Sequence, residues 1–141
     1  MQSLTSAMQL AMALFQAQSG LLKPLDRSLS LHGISFTELM VMLTLQQAPQ
    51  SSMRRIELAD AIGLSASGVT RLLLPMEKNH LVEKQQNQRD ARVSLVKLTD
   101  TGQQILSDAL TTFEQSAQKA TQSLTSKQIE QCLQLLGALR A

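Results

Sequence analysis

Between Arg55 and Leu74 the chain reads RIELADAIGLSASGVTRLLL, and the placing of small and apolar residues there leaves few folds open. Leu58, Ile62, Leu64, Val69 and Leu72 fall where two short helices crossing at a steep angle need apolar contacts. Ala59 is small where the second helix must pass close to the first. Gly63 falls where the chain leaves the first helix, and a positive φ there is cheap only for glycine. This pattern predicts a helix-turn-helix, a unit whose second helix enters a DNA major groove.

The rest of the 141-residue chain is long enough for a single domain with a real core, spanning residues 1–141. With 43% hydrophobic residues and a mean hydropathy of −0.03 it reads as an ordinary globular protein. No apolar run approaches the roughly 18 residues of a membrane span, so the expectation is a cytoplasmic protein without a membrane partner. The single Cys132 excludes an intramolecular disulfide.

The charges are unevenly placed. Residues 54–92 hold seven of the 13 basic residues and five of the 11 acidic ones, so the whole surplus of +2 lies in the segment expected to bind DNA. Aromatic residues are scarce, with three Phe and neither Tyr nor Trp. Readers of single strands stack bases on aromatic side chains, which makes duplex DNA the expected partner.

Along the chain, apolar residues recur at helical spacing from Ser3 to about Leu29, predicting one long helix that Gly20 and Pro24 bend. Ser35 and Glu38 form a capping box ahead of the run Leu39–Leu45, and Ala48-Pro49 ends that helix. Arg54–Ile62 and Ser65–Asn79 are the paired helices, with Pro75 expected to bend or shorten the second. Residues 81–84 and 93–98 read as two strands joined by the polar loop Gln85–Asp90. Thr99 opens a further helix, and a capping box at Thr125 and Gln128 opens a last one.

The predicted class is therefore mainly α (α+β), a winged helix-turn-helix core with a two-strand β-hairpin wing. Residues 35–99 would form the DNA-binding region, and residues 1–34 and 100–141 long terminal helices for dimerisation. Their apolar stripes exceed what so small a core can cover, and another subunit is the natural cover.

The residues expected to carry function follow from this layout. Ser65, Ala66, Ser67 and Gly68 open the recognition helix. Ser65 reads as its N-cap, while small residues there permit close approach to bases and phosphates. Thr70 and Arg71 come next on the exposed side, and Arg71 suits a guanine edge or a phosphate. Arg54 and Arg55 are expected phosphate contacts. In the wing, Lys84, Gln88, Arg89, Asp90 and Arg92 are the candidates. Arg89 would enter the minor groove, with Asp90 and Arg92 holding the loop as an ion pair.

Leu58-Ala59, Gly68-Val-Thr-Arg-Leu72, Leu81-Val82, Asp90-Ala-Arg92 and Leu98-Thr-Asp-Thr-Gly102 together closely resemble the MarR family of bacterial transcription regulators. The distinctive part is Asp-x-Arg followed at fixed distance by Leu-Thr-x-x-Gly. Two positions depart from the pattern. Lys84 stands where an arginine is common, keeping the charge without the bidentate fork, and His80 replaces the usual glycine after the recognition helix. The resemblance implies a homodimer joined through its first and last two helices, binding a pseudo-palindromic operator. It also implies repression relieved by a small ligand or an oxidant.

No cysteine near the amino terminus supports an oxidant, and Cys132 beside Leu133 reads as a buried, inert thiol. An aromatic or phenolic small molecule is the expected effector. Met8, Met12, Phe15, Met40, Met42 and Phe113 suit an apolar cavity, but the same spacing describes ordinary core, so the pocket stays unassigned. His32 and His80 lack partners at metal or triad spacing, and no glycine-rich phosphate loop follows a strand, so no cofactor, metal or enzymatic activity is expected. The alternative to a DNA-binding regulator is a winged-helix module that binds another protein.

Overall fold

The computed structural model describes residues 2–87, 89–90 and 92–139. Among these residues six α-helices and three strands follow in the order α1 (Ser6–Leu29), α2 (Phe36–Gln47), β1 (Ser52–Arg54), α3 (Arg55–Ile62), α4 (Ala66–Lys78), β2 (Val82–Gln86), β3 (Ser94–Leu98), α5 (Asp100–Ala120) and α6 (Ser126–Gly137). The sheet runs β1-β3-β2, antiparallel throughout. Among the described residues no single helix is long and apolar enough to cross a membrane.

The helices begin where side chains satisfy their first backbone N–H groups. Thr5, Ser35, Ser65, Thr99 and Thr125 each accept from the backbone N–H three residues on. Glu38 and Gln128 reach back to complete the two predicted capping boxes. Each such cap stabilises its helix by roughly 1 kcal/mol. Proline does not interrupt: α1 runs as one helix through Gly20 and Pro24, and α4 as one through Pro75.

The core gathers around α2, whose Leu39, Val41, Met42 and Leu45 are all fully buried. Burial on so many sides places this helix at the centre, between α1, α3, the sheet and α5. From α4 the core takes Val69, Leu73 and Met76, while Leu72 is only half-buried and Leu64 lies largely exposed. Val69 is buried as its position predicts, and Leu72 packs at the edge of the core while Leu73 takes the fully buried place.

The two-strand hairpin has a third partner that sequence patterning does not reveal. Ser52, Met53 and Arg54 pair with Lys97, Val96 and Leu95. Three residues are too few to display an alternation, and their strand character comes from the edge of β3 that they complete. Gln50 and Ser51, both at positive φ, turn the chain onto that edge. In the hairpin β2 starts one residue later than expected and continues to Gln86, and β3 starts one residue later, at Ser94.

Leu98-Thr-x-x-Gly102 forms a tight joint. The Thr99 hydroxyl caps α5 and donates to the backbone oxygens of His80 and Leu81. A Cβ at residue 102 would collide with the Leu81 backbone carbonyl, so only glycine lets the start of α5 approach so closely. His80 itself adopts a left-handed φ of 62°, the conformation that a glycine would take more readily. Substituting Gly102→Ala is expected to lower stability by about 1–3 kcal/mol. A urea midpoint unchanged from wild type would show that the joint opens without loss.

Candidate nucleic-acid interface

Helix α3 ends at Gly63, whose φ of 72° reverses the chain in the left-handed region, as its position predicted. Ala59 is buried at the crossing, and Ser65 caps α4. From there Ser65, Ala66, Ser67, Thr70 and Arg71 are exposed, and Gly68 is half-buried. The glycine has a local purpose, because a Cβ there would press to 3.1 Å from the Ser65 hydroxyl that caps the helix. The first two turns of α4 therefore present small side chains and open N–H groups, followed by one cation. Arg71 forms no ion pair with the described residues.

In the wing, the Asn87 carboxamide oxygen accepts from the Arg89 backbone N–H at 2.8 Å, and the Asn87 N–H donates to the Val93 carbonyl. Asp90 closes the other side. Its Oδ1 accepts from the Arg92 backbone N–H at 3.0 Å and from Nε at 3.1 Å, and its Oδ2 accepts from Nη2 at 3.3 Å. Hydrogen bonds from Arg92, with a smaller contribution from the charge of Arg54, hold the Asp90 carboxyl below the usual carboxylate range. The expected Asp90–Arg92 pair is therefore present, with the Arg92 side chain still 91% exposed. Arg89 is exposed beside it, and Lys84 is exposed on β2 opposite Val96. Gln88 lies outside the described residues.

The adjacent cations Arg54 and Arg55 diverge. Arg54 ends β1, is exposed, and its backbone N–H donates to the Glu57 carboxylate. Arg55 reaches across to α4, donating to Thr70 Oγ1 at 3.2 Å and to Glu77 Oε1 at 3.3 Å. Glu77 was absent from the sequence-derived set. The alternation of charge along α4 carries no sign that a residue fifteen or more positions upstream would fold onto it.

Beneath this surface, a cavity of about 330 Å³ lies between α1 and the helix-turn-helix, lined chiefly by Leu21, Leu22, Leu25, Phe36, Met40 and Ile62. Of the residues suggested for an apolar cavity only Met40 lines it. Met42 is core, Phe113 packs on Phe36 with ring centroids 5.3 Å apart, and Met8, Met12 and Phe15 are exposed. Cys132 is also exposed, contrary to expectation. Helix α6 buries none of its residues within the chain, so its apolar side offers the thiol no cover.

Residues 34–94 match the model of the MarR family. The chain is 31% identical over 93 residues to the transcriptional repressor MprA of Escherichia coli strain K12, a match covering 66% of this chain and 53% of MprA. It thus spans about half the length of that relative. Its fold is similar to Sco3205, a MarR family transcriptional regulator from Streptomyces coelicolor in complex with DNA. That likeness has a TM-score of 0.84 at 24% identity and covers 96% of this chain and 87% of the other. A mutant MarR from E. coli complexed with operator DNA is equally similar, at TM-score 0.84 and 23% identity over 93% of each chain. The family match takes in the helix-turn-helix and the wing up to the start of β3, and over those residues the chain is similar to the MarR family.

Proposed function

We propose that the chain is a sequence-specific, duplex-DNA-binding transcription regulator, acting in the cytoplasm as a homodimeric repressor under the control of a small aromatic or phenolic effector. One observation carries the reading. The start of α4 is exposed, with Arg71 unpaired among the described residues, and the Asp90–Arg92 pair of the wing leaves Arg89 exposed. Ser65, Ala66, Ser67, Gly68 and Thr70 approach the major-groove edges and adjoining phosphates, and Arg71 binds a guanine edge or a phosphate. Arg89 enters the flanking minor groove, while Lys84 and Arg54 face the backbone. MprA is a transcriptional repressor and two proteins of similar fold were solved in complex with DNA, which supports the same reading.

Dimerisation is supported by apolar rows that one chain cannot cover. Met8, Met12 and Phe15 on α1 and Leu133, Leu135 and Leu136 on α6 are each about half or more exposed. Two recognition helices held ~34–36 Å apart would enter successive major grooves of a pseudo-palindrome. The cavity between α1 and the helix-turn-helix fits an effector, because its walls belong to the two parts whose relative position sets that spacing.

Selection of bound fragments from a random DNA pool tests the proposal, the expected result being a palindromic motif. Absence of duplex binding at low salt would favour the protein-interaction alternative. Against the selected duplex, Arg71→Ala and Arg89→Ala are each expected to weaken binding by about 1–3 kcal/mol while leaving the dimer intact. Sedimentation should show a dimer that Leu133→Glu dissociates; a wild-type monomer at micromolar concentration would contradict the assembly. The folded pKa of Asp90 lies below its unfolded value. The clamp's contribution is therefore complete above the ordinary carboxylate range and is lost as pH falls through the folded value. An NMR titration should show the Arg92 Nε–H signal moving with Asp90 below that range, and an ordinary Asp90 titration would contradict the clamp.

A further inference from the structure

Thr70 and Glu77 are seven positions apart on α4, which puts them two turns apart on one face. The Arg55 guanidinium, from the first residue of α3, touches both at once. A planar guanidinium has donors fixed in different directions and can bridge two acceptors, which a single ammonium does poorly. The bridge is partly withdrawn from water, with the Arg55 and Glu77 side chains 28% and 23% exposed. It is screened less than the fully exposed wing charges. The Thr70 hydroxyl is tied from the other side too, donating to the Ala66 carbonyl at 3.1 Å. Its one proton is occupied, so what Arg55 grips is a rotamer already held by the helix.

We infer that Arg55 is a positioning residue, which fixes the rotation of the recognition helix against α3 through Thr70 and Glu77 and does not neutralise a phosphate. The inference rests on the reading of α4 as the DNA-reading helix. Rotation about the axis of α4 decides which side chains face the base edges. A strut gripping the helix at two points two turns apart resists that rotation more than a contact at one point. Arg54, the preceding residue, has no such partners among the described residues and stays available to the DNA backbone.

Salt dependence separates the two roles. Each phosphate contact contributes about 0.9 to the slope of log affinity against log salt. Full-length wild type, Arg55→Gln, Glu77→Gln and the double variant are measured across salt on two duplexes, the selected one and a scrambled one. Arg55→Gln is expected to weaken the selected duplex by roughly 2- to 100-fold, with the salt slope and the scrambled-duplex affinity unchanged. Glu77→Gln should give the same pattern, and the double variant should be no worse than the weaker single one. General loss of folding would reduce both duplexes together, and the isosteric Glu77→Gln supplies the test if Arg55→Gln does not fold. A slope reduced by about 0.9 in Arg55→Gln, or tighter binding by Glu77→Gln because a cation has been released, would overturn the inference. So would the absence of any effect from both substitutions. Wild type binding neither duplex would instead defeat the DNA-reading proposal, and this assignment with it.

Discussion

The backbone of Leu81 is the point from which the winged region hangs. Its N–H donates to the Met76 carbonyl and closes the end of α4, while its carbonyl accepts from both the backbone and the hydroxyl of Thr99. The next residue begins β2. One residue thus joins α4, the wing and the longest helix of the carboxyl-terminal half. Such a joint transmits displacement because its alternatives are poor: a buried carbonyl that loses its donors costs more than a small coordinated shift. Movement of α5 must carry the wing and the end of α4 with it or break those bonds.

The arginines show how a weak net charge can be allotted to separate tasks. Arg92 closes the wing on Asp90 and Arg55 spans two helices to Glu77, so two cations serve the protein's own geometry. Arg54, Arg71 and Arg89 remain exposed. Counting basic residues overstates the charge available to a polyanion. Ion pairing within the chain subtracts from it while shaping the surface that remains.

Local chemistry made much of this legible in advance. Gly63, the caps at Ser35, Ser65, Thr99 and Thr125, and the Asp90–Arg92 pair all act within a few residues of themselves, and all stand where sequence placed them. What escaped was set by distant partners. β1 exists because β3 has an open edge, the inward face of α4 centres on Leu73 because of what lies beneath it, and Arg55 meets Glu77 only through the helix crossing. Cys132 was misjudged for a related reason. An apolar helical stripe shows that burial is needed without showing that the same chain supplies it.

The packing of α1 along α5 also sets an order of events during synthesis. His32, just beyond α1, meets Thr112 of α5 at 2.7 Å across a separation of 80 residues. At about 5–20 residues per second, α1 is completed some 4–16 s before that part of α5 exists. Throughout that interval α1 has no α5 to lie against. The winged core, made wholly in between, can close first on contacts nearer in sequence. Helix α1 then docks onto a body already formed.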